Sequence, residues 1–158
     1  MSTKRDSNKK VLARNKRARF DYDITETFDA GIVLKGSEVK SIKGGHVSLR
    51  ESFIRVEQNE VWLINAYVSE WKYAQLERYE PQARRKLMLT RREIRKLEIL
   101  QDAKKMSIVP LEIFLQKKYI KVKIGVGKGR KKYDKRERIK QREMKRELHE
   151  DLAKAQRF

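Results

Sequence analysis

A small, mainly β domain closed into a barrel, with short helices and a basic tail, is the fold the sequence predicts. Three observations predict it. Apolar and β-branched residues alternate in two pairs of segments joined by short turns, which is the period of half-buried antiparallel strands. No repeated strand–helix–strand unit occurs, so a doubly wound parallel sheet is excluded. Charge is concentrated at both ends of the 158-residue chain, leaving a nearly balanced middle long enough for one core.

Taken in order, Gly31-Ile32-Val33-Leu34 reads as a short buried strand, and Glu38 to Lys43 as one helical turn stopped by Gly44-Gly45. Residues 47–68 read as a β-hairpin turning at Gln58-Asn59, with Ile54-Arg55-Val56 on one side and Val61-Trp62-Leu63-Ile64 on the other. Thr90-Arg91-Arg92-Glu93 is a capping box, in which hydroxyl and carboxylate satisfy exposed N–H groups at a helix start; Ile94, Leu97 and Leu100 follow as its buried stripe. A second hairpin runs from Ser107 to Val126 through Gln116-Lys117-Lys118. In its second strand Ile120, Val122, Ile124 and Val126 share one face and Lys121 and Lys123 the other. Five or six strands and one internal helix in about 100 residues suit an OB-type closed β-barrel, which removes sheet edges.

The charge divides the chain into a basic flexible N-terminal arm (1–14), the barrel (15–128) and a basic C-terminal tail (129–158). Overall, 41 Lys and Arg stand against 22 Asp and Glu, a formal net charge of +19. That excess points to a polyanion: nucleic acid first, an anionic membrane surface second. From Asp134 to Ala155 there is neither Gly nor Pro, and Ile139, Met144, Leu148 and Leu152 are its sparse large apolar residues. The last three make a narrow stripe, too little to fix an isolated helix, so the tail is expected to be disordered or helical only on a partner.

Little supports catalysis. The chain has no cysteine, which excludes disulfides, thiolate metal sites and a cysteine nucleophile, and suits a reducing cytoplasm. His46 and His149 lie in unrelated segments. Gly125-Val126-Gly127-Lys128-Gly129 lacks the spacing and the hydroxyl of a phosphate loop, and reads as a flexible exit from the last strand. No metal, no cofactor and no catalytic residue are expected, although carboxylates converging from distant positions keep a metal-dependent nuclease open. No apolar run is long enough to span a bilayer. In Asn15-Lys16-Arg17-Ala18-Arg19-Phe20-Asp21-Tyr22, three cations and two rings can contact phosphates and stack on unpaired bases, or the rings can anchor the first strand. Arg84-Arg85-Lys86 and Arg91-Arg92 extend the basic character.

That same block, followed by Glu26-Thr27-Phe28-Asp29-Ala30-Gly31-Ile32-Val33-Leu34-Lys35-Gly36-Ser37-Glu38-Val39-Lys40-Ser41, closely resembles the SsrA-binding protein (SmpB) family. So do residues 85–94, Val109-Pro110-Leu111 and residues 121–136. The resemblance implies an OB-type barrel that binds the tRNA-like domain of tmRNA and delivers it to stalled ribosomes for trans-translation, its tail entering the empty mRNA channel and decoding centre. By motif, RNA contacts would fall on Asn15, Lys16, Arg17, Arg19, Glu38, Val39, Lys40, Ser41, Met88, Thr90, Arg92, Lys121 and Lys123. Tyr133, Asp134, Lys135 and Arg136 would face ribosomal RNA. Met88 stands where the family usually has Leu, and Tyr133 where His or Tyr occurs. A cytoplasmic, non-enzymatic monomer is expected. The competing class is a generic OB-fold RNA-binding or ribosome-associated factor, which has no need of the Asp134-Lys135-Arg136 tail.

Overall fold

The computed structural model describes residues 9–73, 78–103, 105–130 and 132–155, without the side chains of 132–135 and 155. Alternating burial builds its strands: β1 (Lys9–Arg14), β2 (Tyr22–Ile32), β3 (Val47–Ser48), β4 (Phe53–Glu57), β5 (Glu60–Ile64), β6 (Tyr67–Val68), β7 (Arg85–Met88), β8 (Met106–Gln116) and β9 (Tyr119–Gly129). Among the described residues four helices intervene or follow: α1 (Ala18–Asp21), α2 (Gly36–Lys43), α3 (Arg91–Asp102) and α4 (Lys132–Ala155). Seven strands form one antiparallel sheet in the order β1-β8-β9-β2-β7-β5-β4, and β3 and β6 pair as a separate ribbon.

The β4–β5 hairpin turns where expected. Gln58 and Asn59 both have positive φ (49° and 62°), the two-residue turn whose twist matches the flanking strands. It is nested inside the β3–β6 ribbon, so the single hairpin read over 47–68 is two pairings. The β8–β9 hairpin also forms, with Ile120, Val122, Ile124 and Val126 in the core. Leu97 of α3 is fully buried in the same core, and Ile94 and Leu100 pack against it. The capping box at Thr90 is present: its hydroxyl accepts from Glu93 N (3.2 Å) and the Glu93 carboxylate accepts from Thr90 N (3.1 Å).

The sheet curls but its ladder stays open between β4 and β8. Phe53, Ile54 and Arg55 face Met106–Val109 across a cleft rather than through a pairing. The physical reason lies in α3. Gln101 receives the Val56 N–H (2.7 Å) and donates to the Val56 carbonyl (3.1 Å), occupying with its amide the backbone groups a closing strand would use. The closed barrel expected from the sequence is therefore present only as a mainly β, strongly curved antiparallel sheet.

Other expectations shift. Lys9–Arg14, assigned to the flexible arm, pair with β8 as an edge strand; residues 1–8 lie outside the described residues. The strand expected at 31–34 runs instead over Tyr22–Ile32, with Val33 exposed. Gly125 and Gly127, read as a flexible exit, are buried inside β9. A Cβ at residue 127 would stand 2.2 Å from the Asp23 carbonyl oxygen, so only glycine permits this approach of β9 to β2.

The tail forms one helix, α4, with Ile139, Met144, Leu148 and Leu152 all exposed. Two of its arginines approach the sheet domain. Arg138 Nη1 donates to the Arg19 carbonyl (3.2 Å), and the Arg142 guanidinium lies 5.9 Å from the Phe20 ring centre.

Candidate nucleic-acid interface

The register of the sheet assembles the first cluster. Gly31 of β2 stands opposite both Met88 of β7 and Lys121 of β9, so these three form one row on the outer face. The bare glycine lets Met88 lie across it: a Cβ at residue 31 would be 2.9 Å from Met88 Cε. Val39 of α2 and the Lys118-Tyr119 end of the β8–β9 turn complete a groove of 370 Å³ whose floor includes Leu34 and Ile120. Val39, Met88 and Lys121, far apart in sequence, thus meet, and Lys40 is exposed beside Val39.

Lys123 lies on the same face of β9, one pair further along, opposite Asp29 of β2 and Glu112 of β8. Glu112 is itself ion-paired with Lys9. Lys121 Nζ sits 3.3 Å from Gln116 Oε1, with no carboxylate within bonding reach among the described residues. Lys121 is therefore the better placed of the two for a phosphate.

Glu38 and Ser41 do not reach the surface. Glu38 is 6% exposed, and its carboxylate accepts from Arg85 Nε (2.6 Å) and Lys35 N (3.0 Å). Arg85, 3% exposed, also donates from Nη1 to the Ala66 and Ala83 carbonyls and from Nη2 to the Pro81 carbonyl. Glu38 thus anchors α2 to β7, and so positions Val39 and Lys40. Ser41 bonds the Ser69 carbonyl (2.7 Å) in the same supporting role. Tyr79, against this pair, donates to the Val68 carbonyl (2.8 Å); burial, followed by the charge of Glu38, raises its pKa.

A second cluster gathers at the opposite end of β1. Lys16, Arg17 and Arg19 lie around α1, beside a cleft of 670 Å³ that Arg14, Tyr22 and Arg50 also line. Asn15 has a structural role. Its backbone N–H bonds the Leu111 carbonyl (2.8 Å) and its side-chain amide the Pro110 carbonyl (3.0 Å), holding the cationic turn against the bulge of β8. Arg138 and Arg142 of α4 approach this cluster, so tail and α1 form one basic region. Thr90 serves the capping box, Arg92 is exposed in the first turn of α3, and Arg136 is exposed on α4. The side chains of Tyr133, Asp134 and Lys135 lie outside the described residues.

Sequence patterning does not single out Tyr119, Lys118 or the positioning role of Arg85. An aromatic residue at a hairpin turn carries no periodic signal, and a buried arginine in a basic run reads as one more surface cation. Among the described residues no group of three or more His, Cys, Asp or Glu is placed to hold a metal, and no helix is long and apolar enough to cross a membrane.

Comparison with known proteins identifies the lineage. The family model described as SmpB protein matches residues 12–154. The SsrA-binding protein of Persephonella marina is 48% identical over 139 residues, covering 88% of this chain and 91% of that one. The SsrA-binding protein of Bacillus subtilis is 44% identical over 148 residues, covering 94% and 95%. A solved structure described as "tmRNA-SmpB: a journey to the center of the bacterial ribosome" superposes with a TM-score of 0.65 at 39% identity, covering 78% of this chain and 87% of that one. With a family model spanning most of its length and relatives this similar, the chain belongs to the SmpB family of SsrA-binding proteins.

Proposed function

We propose that this chain is an RNA-binding adaptor that binds the tRNA-like domain of tmRNA and carries it to stalled ribosomes for trans-translation. Family membership and the likeness to a tmRNA–SmpB structure support the partners. The observation that carries the reading on this chain is the meeting of Val39, Met88 and Lys121 around one groove, with Lys40 and Lys118 beside it and no carboxylate lining it among the described residues. Cations without local acids favour a phosphate backbone, and an apolar floor favours base faces.

In this reading the curled sheet works as an OB-type barrel whose seam is filled by the Gln101 amide instead of a strand ladder. Lys16, Arg17 and Arg19 supply further phosphate contacts, while Asn15, Glu38, Ser41 and Thr90 hold the contacting segments in place. The tail enters the empty mRNA channel, with Tyr133, Asp134, Lys135 and Arg136 at the decoding centre. Its exposed apolar stripe and dense positive charge support a helix that becomes stable when ribosomal RNA neutralises it. The protein acts as a cytoplasmic monomer without chemistry of its own.

The test is charge reversal on β9. Lys121→Glu with Lys123→Glu should weaken binding to a tmRNA transcript strongly. The slope of log K against log salt should also become shallower, by about one unit for each phosphate that is no longer neutralised. Both side chains stand on the outer face, so circular dichroism should show an intact fold, even though a glutamate at 123 would face Asp29 and Glu112. Unchanged affinity and slope would remove this face from the RNA interface.

A further inference from the structure

We propose that Tyr119 is a stacking platform for one unpaired base of the bound RNA, which enters the groove between its ring and Met88. This deepens the function proposed above and rests on it. Tyr119 is 70% exposed and Met88 55% exposed, both large apolar groups held at the lips of the same groove. Such exposure costs hydrophobic free energy in the free protein, and covering both groups with a ligand would recover it. The floor is apolar, formed by Leu34, Val39 and Ile120, and the flanking charges are Lys118 and Lys121. A phosphate backbone held by these lysines on either side would leave its base over an apolar slot with an aromatic lip. That combination is the one by which single-stranded segments are held, since every base has a π-face and stacking does not depend on its identity. The geometry is fixed rather than adaptable. Tyr119 follows the two-residue β8–β9 turn, in which Lys117 has φ of 57°, and pairs with Gln116, so the ring's root is set by the hairpin.

The experiment measures binding of the full chain to a tmRNA transcript across a salt series for four variants. Tyr119→Ala and Tyr119→Leu should each weaken binding about tenfold, the size of one base stack, while leaving the salt slope unchanged, because no charge is removed. Tyr119→Phe should stay within about twofold, since the ring is kept. Lys121→Glu should weaken binding and make the slope shallower. Wild-type affinity in Tyr119→Ala and Tyr119→Leu, with Lys121→Glu still weakened, would overturn the stacking platform and leave the adaptor function standing. A Tyr119→Leu variant that binds as well as Tyr119→Phe would also overturn it, since bulk and not the ring would be what counts. Failure of the wild-type chain to bind the transcript at all would instead bring down the function on which the inference rests.

Discussion

A chain ended after Gly129 is expected to bind tmRNA nearly as well as the full chain and to lose tagging of stalled peptides entirely. The last strand ends at Gly129, which pairs with Tyr22, so truncation there leaves every sheet ladder intact. Among the described residues, none beyond 129 lines the groove of Val39, Met88 and Lys121. The loss of tail charge weakens long-range attraction, but at ~0.15 M salt the screening length is only about 8 Å. Binding at that ionic strength should therefore fall by less than about tenfold, whereas the decoding-centre contacts disappear with the tail. Binding by filter retention and tagging in a translation extract would be read side by side. Equal loss of both would refute the division of labour between sheet and tail.

Arg85→Ala should be the most damaging single change to stability. It removes the only buried cation beside Glu38 among the described residues and strips donors from the Ala66, Ala83 and Pro81 carbonyls. Leaving one member of a buried pair uncompensated costs about 3–5 kcal/mol. A domain of this size has only about 5–15 kcal/mol to lose, so urea unfolding should shift far to lower denaturant. Arg85→Met combined with Glu38→Gln should recover part of the loss, because the orphaned charge is gone. A shift worth less than about 1 kcal/mol, the range of an exposed pair, would show that the pair does not anchor α2. The exposed Arg84–Glu57 bridge is the contrast. Arg84 holds the Glu57 carboxyl below its ordinary pKa, chiefly through their hydrogen bond, yet both groups face water and Arg84→Ala should scarcely move the unfolding curve.

Glu38 and Arg85 also show where the sequence was legible and where it was not. The β8–β9 hairpin, the Gln58-Asn59 turn and the Thr90 capping box carry local signals, period-two burial or turn and cap chemistry, and each forms as read. The length of β2 was hidden because Asp23, Thr25, Glu26 and Thr27 interrupt its apolar alternation with polar residues that the register tolerates. β1 was hidden by its lysines, although Lys9 pairs with Glu112 and covers the Phe114 ring at 4.3 Å. The open seam between β4 and β8 depends on Gln101 meeting Val56, 45 positions away, which no local pattern announces. The same holds for the site. Lys121 was legible as the polar face of an alternating strand. Glu38 looked like part of a surface motif until Arg85, 47 residues later, claimed its carboxylate.

The most direct test of the central claim is to immobilise the full chain and pass total bacterial RNA over it at physiological salt. Enrichment of one small structured RNA bearing a tRNA-like end is the expected result. That RNA should be released as salt rises, and the Lys121→Glu, Lys123→Glu variant should not enrich it. Retention of bulk RNA in proportion to its abundance, equal for both proteins, would contradict the adaptor function.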